Sequence, residues 1–142
     1  MVRYAILLAV VCLVLASCES SSTKIHFKLY GQGASFSGEY TVDDGDESSD
    51  FTAEESTTDV FMYRSDTVEI SSSVAIDVFP EATTDTDDDD DETDMTSLTC
   101  KVFDSNGTLL YEDTYSITST HMKTFTFNLD SATDSTSTDD TD

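Results

Sequence analysis

The sequence predicts an all-β fold, an antiparallel immunoglobulin-like β-sandwich of about seven to eight strands. Three observations lead there. Short stretches alternate apolar and polar residues, as in Ile25-His26-Phe27-Lys28-Leu29 and Thr124-Phe125-Thr126-Phe127. Turn signals such as Asp44-Gly45 and Asn106-Gly107 separate them. No stretch between them carries the i, i+3, i+4 apolar spacing of an amphipathic helix. A small β-barrel is the alternative, because strand count alone does not separate a closed sheet from two packed ones.

The elements follow in order from 24 onward. Ile25, Phe27 and Leu29 alternate with His26, Lys28 and Tyr30, the signature of a half-buried strand. Gly31-Gln32-Gly33 predicts a turn or bulge. A second strand over 34–42 places Phe36, Tyr40 and Val42 on one face, with Gly38 marking a bulge or a close backbone approach. Asp43-Asp44-Gly45-Asp46 is a turn. A calcium-binding EF-hand loop with Gly45 at its sixth position fails, because Tyr40 and Val42 stand where acidic ligands belong.

A short edge strand over 51–55 and strands over 59–63 and 67–79 come next. In the last of these, Val68 and Ile70 share one parity, as do Val74, Ile76 and Val78. Ser71, Ser72 and Ser73 between them predict a bend or an edge. Pro80 ends the run, since it cannot donate to a ladder. Segment 98–104, the turn Ser105-Asn106-Gly107 and segment 108–113 form the clearest hairpin, with Asn-Gly supplying two positive-φ positions. Leu98, Cys100 and Val102 share a face, so Cys100 is expected in the core as an inert thiol. Asn106-Gly107-Thr108 also matches a glycosylation acceptor, read here as an accident of the turn. Tyr115 and Ile117 continue the outgoing strand, and 122–129 is the last, with Phe125, Phe127 and Leu129 inward.

Before the sandwich, Arg3 and the apolar run from Tyr4 to Leu15 have the layout of a secretory signal. The run is too short to span a membrane, which takes about 20 apolar residues. It closes on Leu15-Ala16-Ser17-Cys18, which resembles the lipobox of bacterial lipoproteins. That resemblance implies a signal peptide over 1–17, a lipid on the Cys18 thiol, and a polar tether over 18–23. Acyl chains on Cys18, palmitate among them, then hold the chain outside the cytoplasm at the cell membrane or outer membrane, stably where two or more chains insert. The alternative is an ordinary secretory signal with a cysteine near its cut.

Charge excludes one class of partner. Five basic residues (Lys24, Lys28, Arg64, Lys101, Lys123) face thirty acidic ones in the chain from Cys18 onward, a formal charge of −25. Such a surface repels nucleic acid. It suits a cationic partner or a salt-adapted exterior. Cys12 lies in the leader and Cys18 at the anchor, which leaves Cys100 without a partner for a disulfide. The acidic loop over 81–94 offers weak metal-ligand candidates in Asp87, Asp88, Asp89, Asp90, Asp91 and Glu92. They lack the spaced ligands and interleaved glycine of a defined calcium site. Segment 131–142, almost wholly Ser, Thr and Asp, is expected as an unstructured tail.

Two longer stretches together resemble the soluble domain of the MmpS family, small mycobacterial membrane proteins that accompany lipid-exporting transporters. They are Ile25 to Phe36, with Tyr40-Thr41 closing the next strand, and Leu98-Thr99-Cys100-Lys101-Val102 with Asn106-Gly107 and Glu112-Asp113. The resemblance covers most of 24–129 and implies a membrane-held sandwich beside an export system. Two features depart from that family. Its second cysteine, on the last strand, is replaced by Thr124-Phe125-Thr126-Phe127, and its spanning helix by the lipobox.

No catalytic constellation is present. His26 and His121 fall on polar strand faces without ligand-spaced neighbours, and no serine sits in a nucleophile-elbow context. The expected role is non-enzymatic: a lipid-anchored module that contacts a protein partner in the cell envelope, without a cofactor. Alternatives are cation binding by the acidic loop, or a structural surface lipoprotein.

Overall fold

A computed structural model of the chain describes residues 21–82 and 92–133. The leader with Leu15 to Cys18, the carboxylates Asp87 to Asp91, and 134–142 lie outside the described residues. The strands are β1 (Thr23–Gln32), β2 (Phe36–Val42), β3 (Ser48–Thr52), β4 (Glu54–Thr57), β5 (Val60–Arg64), β6 (Val68–Ile70), β7 (Ser73–Pro80), β8 (Ser97–Asp104), β9 (Leu109–Ser116) and β10 (Lys123–Asn128). A short helix, α1 (Leu129–Thr133), follows.

Two antiparallel sheets pack as an unclosed sandwich. The first has the order β4-β5-β1-β8-β9, with β6 also paired to β1, and the second has the order β10-β7-β2-β3. The barrel alternative is set aside, since neither sheet closes. Alternation explains the layering. Ile25, Phe27 and Leu29 of β1 and Leu98, Cys100 and Val102 of β8 point inward from one sheet. Phe36, Val74, Ile76, Val78, Phe125 and Phe127 meet them from the other. Each such side chain taken out of water contributes roughly 1.5–3 kcal/mol. Among the described residues the core cluster runs from Ile25 to Phe127.

Ten strands stand among the described residues where seven to eight were expected, because two predicted strands each divide between the sheets. At Ala53, β3 of the second sheet gives way to β4 of the first, and the Ala53 N–H donates to the Phe36 carbonyl at 2.9 Å. The stretch 67–79 divides in the same way. Ile70 pairs with Thr23 in the first sheet, while Ser73 pairs with Asn128 in the second. The Asp43 carboxylate sits at this break and accepts the Ser71, Ser72 and Ser73 N–H groups. Asp43 and Asp44 both have φ 54°, and the Gly45 N–H closes their turn on the Val42 carbonyl at 2.9 Å. The acidic segment there is a turn.

Three further readings are corrected. Gly31 and Gln32 remain in β1, so only Gly33 leaves the strand. In the β8–β9 hairpin Gly107 alone has positive φ, at 86°. Ser105-Asn106-Gly107 is the turn, as expected, but with one positive-φ position where Asn-Gly was expected to supply two. Asp104 selects it, its carboxylate accepting the Asn106 and Thr108 N–H groups, each at 2.8 Å. Last, 129–133, placed at the strand end and the start of an unstructured tail, forms α1. The Leu129 N–H bonds the Ser72 carbonyl at 2.8 Å, and the Leu129 side chain packs against the core.

Candidate functional site

The outer face of the first sheet collects cations. Strand register places Lys28 directly between Arg64 of β5 and Lys101 of β8, which makes one row of three positive side chains. With strands spaced about 4.8 Å apart, the row spans roughly 10 Å. Lys101 pairs with Glu112 of β9 at 3.0 Å. Among the described residues neither Lys28 nor Arg64 has a carboxylate within ion-pair distance. Lys24, lower on the same face, pairs with Glu69 at 3.2 Å. Four of the five cations that follow Cys18 thus lie on this face.

Aromatic rings adjoin the row. His26 stacks on Phe103 with centroids 5.2 Å apart and planes 13° apart, and the Lys28 ammonium stands 5.3 Å from the Phe103 centroid. The His26 pKa lies below its usual 6.5. Desolvation lowers it most, Arg64 and Lys28 lower it further, and Asp104 opposes them. The imidazole thus senses the positive potential of the row. Two open depressions flank it, one lined by Tyr30, Thr99, Lys101 and Glu112, the other by His26, Arg64 and Ser65 to Thr67.

The outer face of the second sheet is its electrostatic opposite. Glu39 of β2 lies directly between Asp77 of β7 and Asp50 of β3. The Thr124 hydroxyl donates to Asp77 at 2.5 Å and the Ser48 hydroxyl to Glu39 at 2.7 Å. Phe79, 42% exposed, stands beside this row opposite Ser37. Like charges directly opposite across strands are destabilising. Both rows therefore cost the isolated fold something.

Inside the sandwich, Cys100 is fully buried and faces Asp113 of β9. Burial, followed by the Asp113 charge, pushes its thiol up to about 12. It is a core thiol without nucleophilic character at neutral pH.

The residues singled out from sequence are scattered rather than convergent. Cys18 and Asp87 to Asp91 fall outside the described residues, and Glu92 is exposed. The stems of the acidic loop are tied together, the Thr93 hydroxyl donating to the Glu81 carbonyl at 2.5 Å and the Glu81 N–H to Ser35 at 3.0 Å. His121 Nδ1 lies 2.8 Å from the Ser119 hydroxyl on the β9–β10 connection, while His26 sits on β1. Among the described residues no three His, Cys, Asp or Glu side chains are grouped as metal ligands, and no helix is long and apolar enough to cross a membrane. Sequence reasoning missed the two charged rows. Their signal lies in the register between strands remote in sequence.

Comparison with family models, with curated proteins and with solved structures gives no match.

Proposed function

We propose that this chain is an extracytoplasmic lipoprotein, held at a membrane by lipid on Cys18, whose sandwich is a non-enzymatic protein-contact module in the cell envelope. The lipobox-like Leu15-Ala16-Ser17-Cys18 supports the anchor, and the first strand begins at Thr23, a few residues after it. The observation that carries the contact role is the cationic row Arg64–Lys28–Lys101. Lys101 is balanced by Glu112, but in a chain this acidic, Arg64 and Lys28 set side by side on an outer sheet face without an ion pair among the described residues serve something other than folding. A rigid sheet positions such a surface better than a loop does. An accessory place beside an envelope transport system is the finer form of this reading.

Fractionation of cells expressing wild type and Cys18→Ala tests the anchor. Release of the variant into the soluble fraction supports it, and a variant that stays in the membrane overturns it. Crosslinking in intact cells through lysines tests the module. Adducts on Lys28 or Lys101 to an envelope protein support it, whereas adducts confined to Lys24 and Lys123 overturn it.

A further inference from the structure

We infer that the partner of the cationic row is the carboxylate row of a second copy of this chain, so that sandwiches stack face to back. The inference rests on the reading of the outer faces as contact surfaces and is independent of the anchor.

Complementarity carries it. Arg64, Lys28 and Lys101 occupy successive strands of the first sheet, and Asp77, Glu39 and Asp50 occupy successive strands of the second. Strand spacing is common to all sheets, so the two rows have the same period of about 4.8 Å. Arg64 and Lys28, which have no ion pair among the described residues, can therefore face carboxylates of the other row in register, whereas Lys101 would have to share or exchange Glu112, 3.0 Å away. Within one molecule the two rows cannot meet, because they lie on opposite outer faces of two sheets packed about 10 Å apart. Between two molecules they can. Aromatic side chains border both rows, with Tyr30 and Phe103 on one face and the exposed Phe79 on the other. Apolar contact would thus accompany the ion pairs.

The geometry is heterologous: one face meets a different face, and each added copy leaves both kinds of face free at the ends. Such contacts extend as open assemblies unless a rotation closes them. A stack related mainly by translation keeps the Thr23 end of every β1 on one side, which is compatible with all copies rising from one membrane. Net charge opposes the association at long range, since each chain carries a formal −24. That repulsion decays with the Debye length, about 8 Å at physiological ionic strength. Close, partly desolvated pairs are screened much less. Stacking should thus be weakest at low salt and strengthen as salt approaches physiological levels.

The test uses the purified full chain in wild-type form and as Lys28→Glu and Glu39→Lys, with folding of each verified by circular dichroism. Sedimentation at physiological salt should show concentration-dependent association of wild type. Either single reversal should weaken it at least about tenfold, because like charges then face one another across the contact. Mixing the two variants should restore pairs, since the intact cationic face of Glu39→Lys meets the intact acidic face of Lys28→Glu. Carbodiimide coupling of isotopically mixed wild type should join Lys28 or Lys101 of one copy to Asp50, Asp77 or Glu39 of the other. A wild type that stays monomeric at all salt concentrations overturns the inference, as do variants that associate as wild type does, or a mixture no better than its components. If stacking fails while Lys28 still crosslinks an envelope protein in cells, self-association falls and the contact-module reading stands.

Discussion

Asp43 holds Ser72 twice: one carboxylate oxygen accepts the Ser72 backbone N–H at 2.7 Å and the Ser72 hydroxyl at 3.1 Å. The same carboxylate receives the Ser71 N–H on both oxygens, at 2.9 and 2.8 Å, and the Ser73 N–H at 3.1 Å. One side chain thereby satisfies successive donors that the crossing from β6 to β7 removes from any ladder. Ser71 and Ser72 are exposed and could turn to water, but Ser73 is buried, where an N–H without a partner is costly.

Asp43→Asn keeps one acceptor oxygen but removes the charge that strengthens these hydrogen bonds, so it should lower stability by about 0.5 kcal/mol once solvent exposure is allowed for. Slight desolvation raises the Asp43 pKa, but the hydrogen bonds from Ser72, Ser71 and Ser73 outweigh it and hold the carboxyl at about 2 against an ordinary 3.8. A pKa depressed on folding stabilises the fold fully above 3.8, and the gain disappears as pH falls through about 2. Urea unfolding of both proteins should show the gap at pH 6 and its closure toward pH 2 as an acid-range trend. A gap unchanged across that range would mean that shape, not charge, does the holding.

The alkaline limb rests on other groups. Burial, aided by Asp113, raises Cys100 from 9.0 to about 12. Burial, then Asp113 and Cys100, raises Tyr111 from 10.0 to about 12. Both groups ionise more readily in the unfolded chain, so stability should be intact below pH 9 and decline as pH rises toward 12. Cys100→Val, a similar volume without a titrating atom, should flatten the first part of that decline in thermal melts. A thiol reagent at pH 8 should modify wild-type Cys100 only as fast as the protein opens. Rapid labelling of the native protein would contradict the burial argument.

Two glycines separate lack of space from backbone strain. A Cβ on Gly38 would stand 2.2 Å from the Asp77 carbonyl oxygen and 2.5 Å from Phe51 Cζ. Because a backbone oxygen in the β2–β7 ladder cannot easily retreat, Gly38→Ala should cost about 2 kcal/mol or more. Gly107 has nothing within 4 Å of such a Cβ, but its φ of 86° is unfavourable to side chains. Gly107→Ala should cost roughly 1 kcal/mol. Equal losses in chemical denaturation would show that one of the two causes has been misassigned.

The contrast between legible and hidden features has a physical basis. Period-two runs such as Ile25-Phe27-Leu29 and Phe125-Phe127 are written locally, and they appear in the fold as inward faces. The close approach at Gly38 was signalled by a glycine within a strand pattern. The crossing at Ser71–Ser73 was visible only as an anomaly, because the group that stabilises it, Asp43, lies 28 residues before Ser71. Asn106-Gly107 marked the turn correctly but not its conformation, because the Asp104 carboxylate bonds the Asn106 and Thr108 amides and only Gly107 takes positive φ. The cationic row was invisible for the same reason as the crossing. Nothing near Lys28 in sequence names Arg64 or Lys101 as its neighbours, and only the pairing of β5, β1 and β8 brings them together.

His26 reports on that row, and Lys28→Gln should change its titration. Desolvation is the largest reason the imidazole lies below 6.5, and the charges of Arg64 and Lys28 supply the rest against a smaller opposing effect of Asp104. Removal of one charge should raise the His26 pKa part of the way back, leaving the desolvation share in place. Added salt should do the same in wild type and less in the variant, because screening acts only on the charge share. Since the depressed pKa means that the unfolded chain takes up the proton first, stability should fall as pH drops below 6.5. Lys28→Gln should reduce that loss. NMR titration of the imidazole protons, followed by melts across the same pH range, measures both effects. A His26 pKa indifferent to Lys28→Gln and to salt would show that burial alone sets it, and the row would then lack the local field that suits it to an anionic face.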